Sequence, residues 1–300
     1  MIERLNPQQL EQLTGITAAM GLKILIELIL NSLIRNTHKK CRKTEGGAKQ
    51  MQVITTAVIK GGTGKTTTAA ALAQAAVASG KRVLAIDLDP QANLTFSLGA
   101  DQNTGGSYQL LNGAAARDVI QATEQGIDTI AASPDLATER TRPGSAKRLQ
   151  AAISPLKKSY DLMIIDTPPT MGELTFNALQ AATGLLIPLE TDNSSLQGLY
   201  QITDIAHQMQ SSNPDLDIIG VVLTRYDARP KINRYLQQVI AERGEEIGAP
   251  FLMGIRPGIA IREAQAMQQS LFEYAPTSKP ARDYKELYDK IAKGGRKNGK

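Results

Sequence analysis

The spacing of apolar and polar positions changes twice along this 300-residue chain. Residues 16–34, ITAAMGLKILIELILNSLI, are strongly apolar, but Lys23, Glu27 and Asn31 interrupt them at intervals of four. That spacing sets all three on one stripe of a helix. A membrane span needs about 20 nearly uncharged residues, so the pattern predicts an amphipathic helix. The basic, Gly-containing stretch RNTHKKCRKTEGGAKQ then reads as a linker. From Met51 the period shortens. QVITTAVIK leads into a glycine cluster, an Ala-rich helix is expected over 66–79 with Gly80 closing it, and RVLAIDLD follows as a strand. LMIIDTPP, TGLLIPLE and DIIGVVLTRYD repeat the apolar run, with helix-like stretches between them. Runs apolar at every position are strands buried on both faces. The alternation predicts βαβ units, hence a doubly wound α/β fold whose mostly parallel sheet carries helices on both faces. A last helix over 280–292 places Ala281, Tyr284, Leu287, Tyr288 and Ile291 on one face. No internal repeat of useful length is present.

Composition narrows this picture in two places. With 42% apolar residues, 300 positions suffice for one large α/β domain but not comfortably for two. The single cysteine, Cys41, excludes a disulfide framework, a structural zinc cluster and a cysteine-held iron–sulfur cluster. It fits a reducing compartment. A polar, acid-containing stretch precedes the apolar segment, unlike a signal peptide, so a cytoplasmic protein is expected. The net charge of +5 is unevenly spread: residues 1–50 hold 8 Lys/Arg against 4 Asp/Glu, and the tail 292–300 holds four cations and no acid. The body 51–291 is left slightly acidic, so any nucleic-acid surface on it is a local patch. Three parts result: an extension 1–50, a body 51–291 and a basic tail 292–300. Two readings of the extension stay open. Met51 is itself a candidate start, with the upstream part a gene-calling artefact; otherwise the segment is a partner-binding helix, a membrane anchor or a degenerate DNA-binding extension.

The chemistry concentrates at Ile59-Lys60-Gly61-Gly62-Thr63-Gly64-Lys65-Thr66-Thr67. This run lies between an apolar strand and an Ala-rich helix, where a phosphate-binding P-loop belongs. Glycines allow successive backbone N–H groups to curl around phosphate oxygens, and the helix N-terminus adds its positive end. Lys65 is placed to reach the β and γ phosphates of ATP, and the Thr66 hydroxyl to ligate Mg²⁺. The usual motif has glycine where this chain has Ile59, and an additional lysine, Lys60, opens the loop.

KGGTGKT resembles the deviant Walker A motif of the ParA/MinD group of ATPases, and the resemblance extends in order over nearly all of 51–291. It implies that Lys60 reaches the phosphates of a partner subunit across an ATP-sandwich dimer. VLAIDLDPQANLT matches the group's DLDPQGN segment with Ala92 in place of glycine; the likeness gives Asp87 a Mg²⁺-bound water and Asp89 the attacking water. MIIDTPP resembles the Walker B strand and implies Asp166 in the metal's outer shell. IAASPDLA, PLETDNSSLQGL, GVVLTRYDAR and REAQAMQQSLFEYAPTSKPARDYKEL resemble further segments in sequence. One place departs: the group's IPRNVRLSEA stands here as IRPGIAIREA, residues 255–264, with the Pro and first Arg exchanged and the second Arg moved. That segment normally helps hold adenine and contributes to DNA binding.

The resemblance is nearest to ParA, the DNA-partition branch. It implies a slow ATP hydrolase that dimerises with ATP, binds double-stranded DNA without sequence preference, associates with the nucleoid and is stimulated by a ParB-like protein. Candidate DNA contacts are Arg225, Arg229, Lys231 and Arg234 in one segment and Arg256 and Arg262 in another, since only phosphate neutralisation is required. The alternative is a MinD-like positioning ATPase anchored to a membrane through residues 16–34. An iron-protein reading fails for want of cysteines in 51–300. A tyrosine-kinase reading fails because no tyrosine lies beyond Tyr288.

Overall fold

β-Branched and aliphatic residues fill the short runs after residue 51, and each becomes a strand. The computed structural model describes residues 52–139, 144–192 and 194–297. The expected helix over 16–34, the linker, the alternative start at Met51 and the last three tail residues lie outside the described residues. In chain order the first half contains β1 (Gln52–Thr56), α1 (Lys65–Val77), β2 (Val83–Asp87), α2 (Asn93–Leu98), α3 (Ser107–Leu111), α4 (Ala116–Val119), β3 (Ile120–Ala122) and β4 (Asp128–Ile130). It continues with α5 (Arg148–Ile153), β5 (Leu162–Asp166), α6 (Glu173–Ala181), β6 (Gly184–Leu189), α7 (Ser195–Met209) and β7 (Asp217–Leu223). Last come α8 (Lys231–Glu246), β8 (Phe251–Gly254), α9 (Ala260–Ala266), α10 (Leu271–Tyr274) and α11 (Lys279–Lys297).

The strands form one sheet in the order β3-β4-β2-β5-β1-β6-β7-β8. Every neighbouring pair is parallel except β3 with β4, which is antiparallel at the edge. Strand side chains alternate between faces. Ile54, Val83, Ala85 and Ile164 therefore join one core with α1, Tyr284 and Leu287. Val53, Leu84, Ile86 and Met163 join another with α5 and α6, and Leu185, Ile187 and Val221 a third with α7 and α8. The doubly wound expectation holds. So does the apolar face of the last helix: Ala281, Tyr284, Leu287 and Ile291 are buried and Tyr288 packs against them.

Topology places the chemistry. β1 is central, between β5 and β6, and β2 lies on the far side of β5. The C-terminal ends of β1, β2 and β5 thus come side by side, in the crevice where open parallel sheets bind ligands.

Candidate nucleotide site

The loop leaving β1 keeps Ala57 and Val58 buried, then turns over the end of the sheet into α1. Gly62 and Gly64 adopt φ of 77° and 83°, a left-handed region that costs a side-chain-bearing residue about 1 kcal/mol or more. At Gly64 space is tight as well: a Cβ would lie 3.1 Å from Thr224 Cγ2. Thr224 buttresses the loop, its hydroxyl donating to the Thr63 carbonyl at 2.8 Å. Lys65 is 6% exposed, and its Nζ donates to the Lys60 carbonyl at 2.9 Å. Burial pulls its pKa down while Asp166 and Asp89 push it up. The second lysine points elsewhere: Lys60 Nζ is ion-paired with Asp192. The Asp192 carboxylate also accepts from the Ser194 backbone N–H at 3.0 Å and from its hydroxyl at 2.8 Å.

Two carboxylates face each other across adjacent strands, because Asp87 and Asp166 are register partners of β2 and β5. Both are fully buried. Asp166 Oδ2 accepts from the Thr66 hydroxyl at 2.6 Å and Oδ1 from the Thr56 hydroxyl at 3.2 Å. Burial raises both carboxyl pKa values. Asp87 rises to about 6, restrained by hydrogen bonds from Thr95, and Asp166 to about 8, pushed further by the Asp87 charge. Asp89 follows two residues past Asp87, is 7% exposed, and accepts from the Gln91 backbone N–H at 3.0 Å. The loop then enters α2 through Ala92 at φ 54°, the position where the related pattern has glycine.

This donor set suits a hard cation bound with a polyphosphate. Its protein ligands are all oxygens, and the raised carboxyl pKa values mark negative charge short of a compensating partner. Among the described residues no three His, Cys, Asp or Glu side chains gather around one point. Such an ion would therefore be held by few protein groups, the remainder coming from phosphate and water, as Mg²⁺ prefers.

The cations expected to meet DNA divide. Arg225, at φ 50°, leans over the P-loop, its guanidinium on the Gly62 carbonyl and paired with Glu190. Arg229 forks onto Asp227, with contacts of 2.6 and 3.0 Å, and Arg234 binds the Ala228 and Arg229 carbonyls. Lys231 and Arg262 are exposed. Arg256 differs: its Nε and Nη2 reach Asp283 at 2.9 and 2.6 Å, and its backbone N–H joins them at 2.9 Å. Arg256 thus ties the departing segment to α11, a structural task the sequence reading did not foresee. That reading also passed over Thr56, Asp192, Thr224 and Thr95. Three of the four stand inside segments singled out for other residues, so position was available as a signal but partnership was not.

The AAA domain family profile matches residues 51–218. The chromosome-partitioning ATPase Soj of Thermus thermophilus is 33% identical over 77% of this chain and 92% of its own length. This chain belongs to the ParA/Soj family of ATPases. The sporulation initiation inhibitor protein Soj of Bacillus subtilis is 35% identical over 79% of this chain and 96% of its own. Among solved structures, cobyrinic acid a,c-diamide synthase of Mycobacterium smegmatis with a bound ATP analog and magnesium superposes with a TM-score of 0.72. It is 32% identical over 82% of this chain and 96% of its own. The ParA-type likeness and the P-loop ATPase fold expected from the sequence agree with these comparisons. Among the described residues no helix is long and apolar enough to cross a membrane.

Proposed function

We propose that this ParA/Soj-family protein is a DNA-partition ATPase in the cytoplasm, switching between an ATP-bound dimer on the nucleoid and a released form. The observation that carries the reading is the pair of lysines at one loop. Lys65 is buried against the phosphate cradle, whereas Lys60 lies at the rim, 25% exposed and held by Asp192. A rim cation can leave its own chain for a partner's phosphates; a buried one cannot.

Gly61, Gly62, Thr63, Gly64, Thr66 and Thr67 offer backbone N–H groups to the phosphates of ATP, and Lys65 supplies the fixed charge. Thr66 through its hydroxyl, and Asp87 and Asp166 through water, would hold Mg²⁺. When bound, the ion neutralises charge on the β and γ phosphates. Asp89 orients the attacking water, and its low exposure keeps that water's surroundings fixed. Lys60 of one subunit stabilises charge on the other's transferring phosphoryl group. Dimerisation brings two sets of Arg229, Lys231, Arg234 and Arg262 onto one DNA. Doubling phosphate contacts steepens both affinity and salt dependence. A ParB-like protein accelerates hydrolysis and so releases the DNA. The partitioning name of the Thermus relative supports this choice over the synthase title of the Mycobacterium structure, which describes that protein.

The test is DNA binding by the full-length chain with ATP, with ADP and as Lys60→Ala. Strong retention of non-specific duplex with ATP alone, lost in Lys60→Ala, is expected. Equal retention in all three would defeat the switch.

A further inference from the structure

Asp87 is fully buried, yet neither of its carboxylate oxygens is free. Oδ1 accepts from the Asp89 backbone N–H at 3.0 Å. Oδ2 accepts twice from one residue, the Thr95 backbone N–H and the Thr95 hydroxyl, each at 2.8 Å. Thr95 is itself buried, at 2% exposure, and its hydroxyl accepts in turn from the Ala132 backbone N–H at 2.9 Å. A single hydroxyl therefore links β2, α2 and the chain leaving β4. We infer that Thr95 is a positioning residue for ATP hydrolysis: it fixes the plane of the Asp87 carboxylate, which fixes the main chain of Asp89.

The physical case rests on rotation. A carboxylate anchored at one oxygen still turns about its Cβ–Cγ bond, a broad and nearly two-fold torsion. The Thr95 N–H on Oδ2 and the Asp89 N–H on Oδ1 limit that turn, and the Thr95 hydroxyl, itself held by the Ala132 N–H, adds a second donor on Oδ2 that narrows it further. Asp89 lies in the loop between β2 and α2, where its main chain is tied on one side by its N–H on Asp87 and on the other by its carbonyl, which accepts from the Ala92 N–H at 2.9 Å. Displacement of a water-orienting group by about 1 Å costs on the order of 100-fold in rate. The direct contacts proposed for the nucleotide come from the P-loop and Lys65, whereas Thr95 acts through Asp87, which is proposed for the metal's waters. The inference depends on the assignment of Asp89 to the attacking water.

Thr95→Val keeps shape and the backbone bond but removes the hydroxyl; Thr95→Ser restores it. Steady-state hydrolysis should show kcat for Thr95→Val lowered by about 10- to 100-fold, with KM for ATP within about 3-fold of the parent. Thr95→Ser should recover most of kcat. Losing the Ala132 partner also weakens the fold, so circular dichroism must show Thr95→Val folded at the assay temperature. A merely structural role predicts parent kcat per folded molecule, and that result overturns the proposal. A serine variant as slow as the valine one overturns it too. Asp89→Ala serves as the control: if it turns over at the parent rate, the Asp89 assignment fails. If it is dead while Thr95→Val is normal, only the role of Thr95 fails.

Discussion

The ends of β1, β2 and β5 and the cationic surface around α8 and α9 are both rich in charge, but they are built on opposite principles. At the strand ends Lys65, Asp87, Asp89 and Asp166 are buried, with Lys60 at the rim. Asp166 alone receives hydroxyls from β1 and α1 while facing Asp87 on β2. Around α8 and α9 the cations are exposed, and several are satisfied by near neighbours in sequence, as Arg229 is by Asp227. A buried charge in a fixed frame acts as a part, and its removal stops a step. An exposed charge acts as one contribution to a summed field. Substitutions should therefore be all-or-none in the first region and graded in the second.

The largest effect is expected at Lys65. Lys65→Ala removes the only buried cation of the cradle, and ATP affinity should fall by about 100-fold or more, given the strength of charge-assisted bonds to phosphate. Fluorescent nucleotide titration measures it; unchanged affinity would break the comparison at its stronger end. Asp89→Ala comes next. It should leave ATP binding intact, lower turnover by about 100-fold, and accumulate an ATP-bound dimer on size-exclusion chromatography. Parent turnover would reduce Asp89 to a turn former.

What the sequence made legible follows the same division. The P-loop could be read because glycines, lysines and hydroxyls must occur in fixed order at a strand–helix junction, and the sheet because doubly buried strands leave unbroken apolar runs. The carboxylates Asp87 and Asp166 could be placed because each ends such a run. The short strands β3 and β4, at one end of the sheet, escaped notice: three residues each give too little pattern to detect. Side-chain partnerships were illegible for a different reason. Asp283 lies 27 residues from Arg256, and Thr95 reaches Asp87 only because α2 folds back over the strand end. Nothing local in either segment announces the contact. Arg256 is exposed, as a surface cation is expected to be, and only its tie to Asp283 was illegible.

Arg256 sharpens the comparison by standing on its border. Its partner Asp283 is only 8% exposed, and the neighbouring Tyr284 hydroxyl lies 3.3 Å from the Thr68 hydroxyl of α1. Arg256→Ala would leave a nearly buried carboxylate without its guanidinium, which is costlier than losing an exposed pair. Thermal melting should show a lower Tm. Arg256→Lys should recover only part of it, since a lysine cannot reproduce the planar fork. A Tm equal to the parent's would return Arg256 to the surface group.

The smallest effects belong to Lys231 and Arg262, exposed cations that carry none of the metal-centre chemistry. Each is expected to meet one DNA phosphate in the ATP-bound dimer. Neutralising a phosphate releases condensed counterion, worth about 0.9 in the slope of log affinity against log salt. Two subunits present each side chain twice, so Lys231→Ala or Arg262→Ala should flatten the slope by about 1 to 2. Affinity at moderate salt should fall several-fold for any duplex sequence alike. Charge reversal at the same positions should deepen the loss, because a carboxylate repels the phosphate it replaces contact with. Basal ATP turnover without DNA should stay at the parent value. A salt titration of the full-length chain with ATP, read by fluorescence anisotropy, gives the slope directly. Should single alanines at these positions abolish binding outright, the surface is an ordered site like the P-loop, and the graded half of the comparison is wrong. Should the slope not move at all, DNA lies on another face.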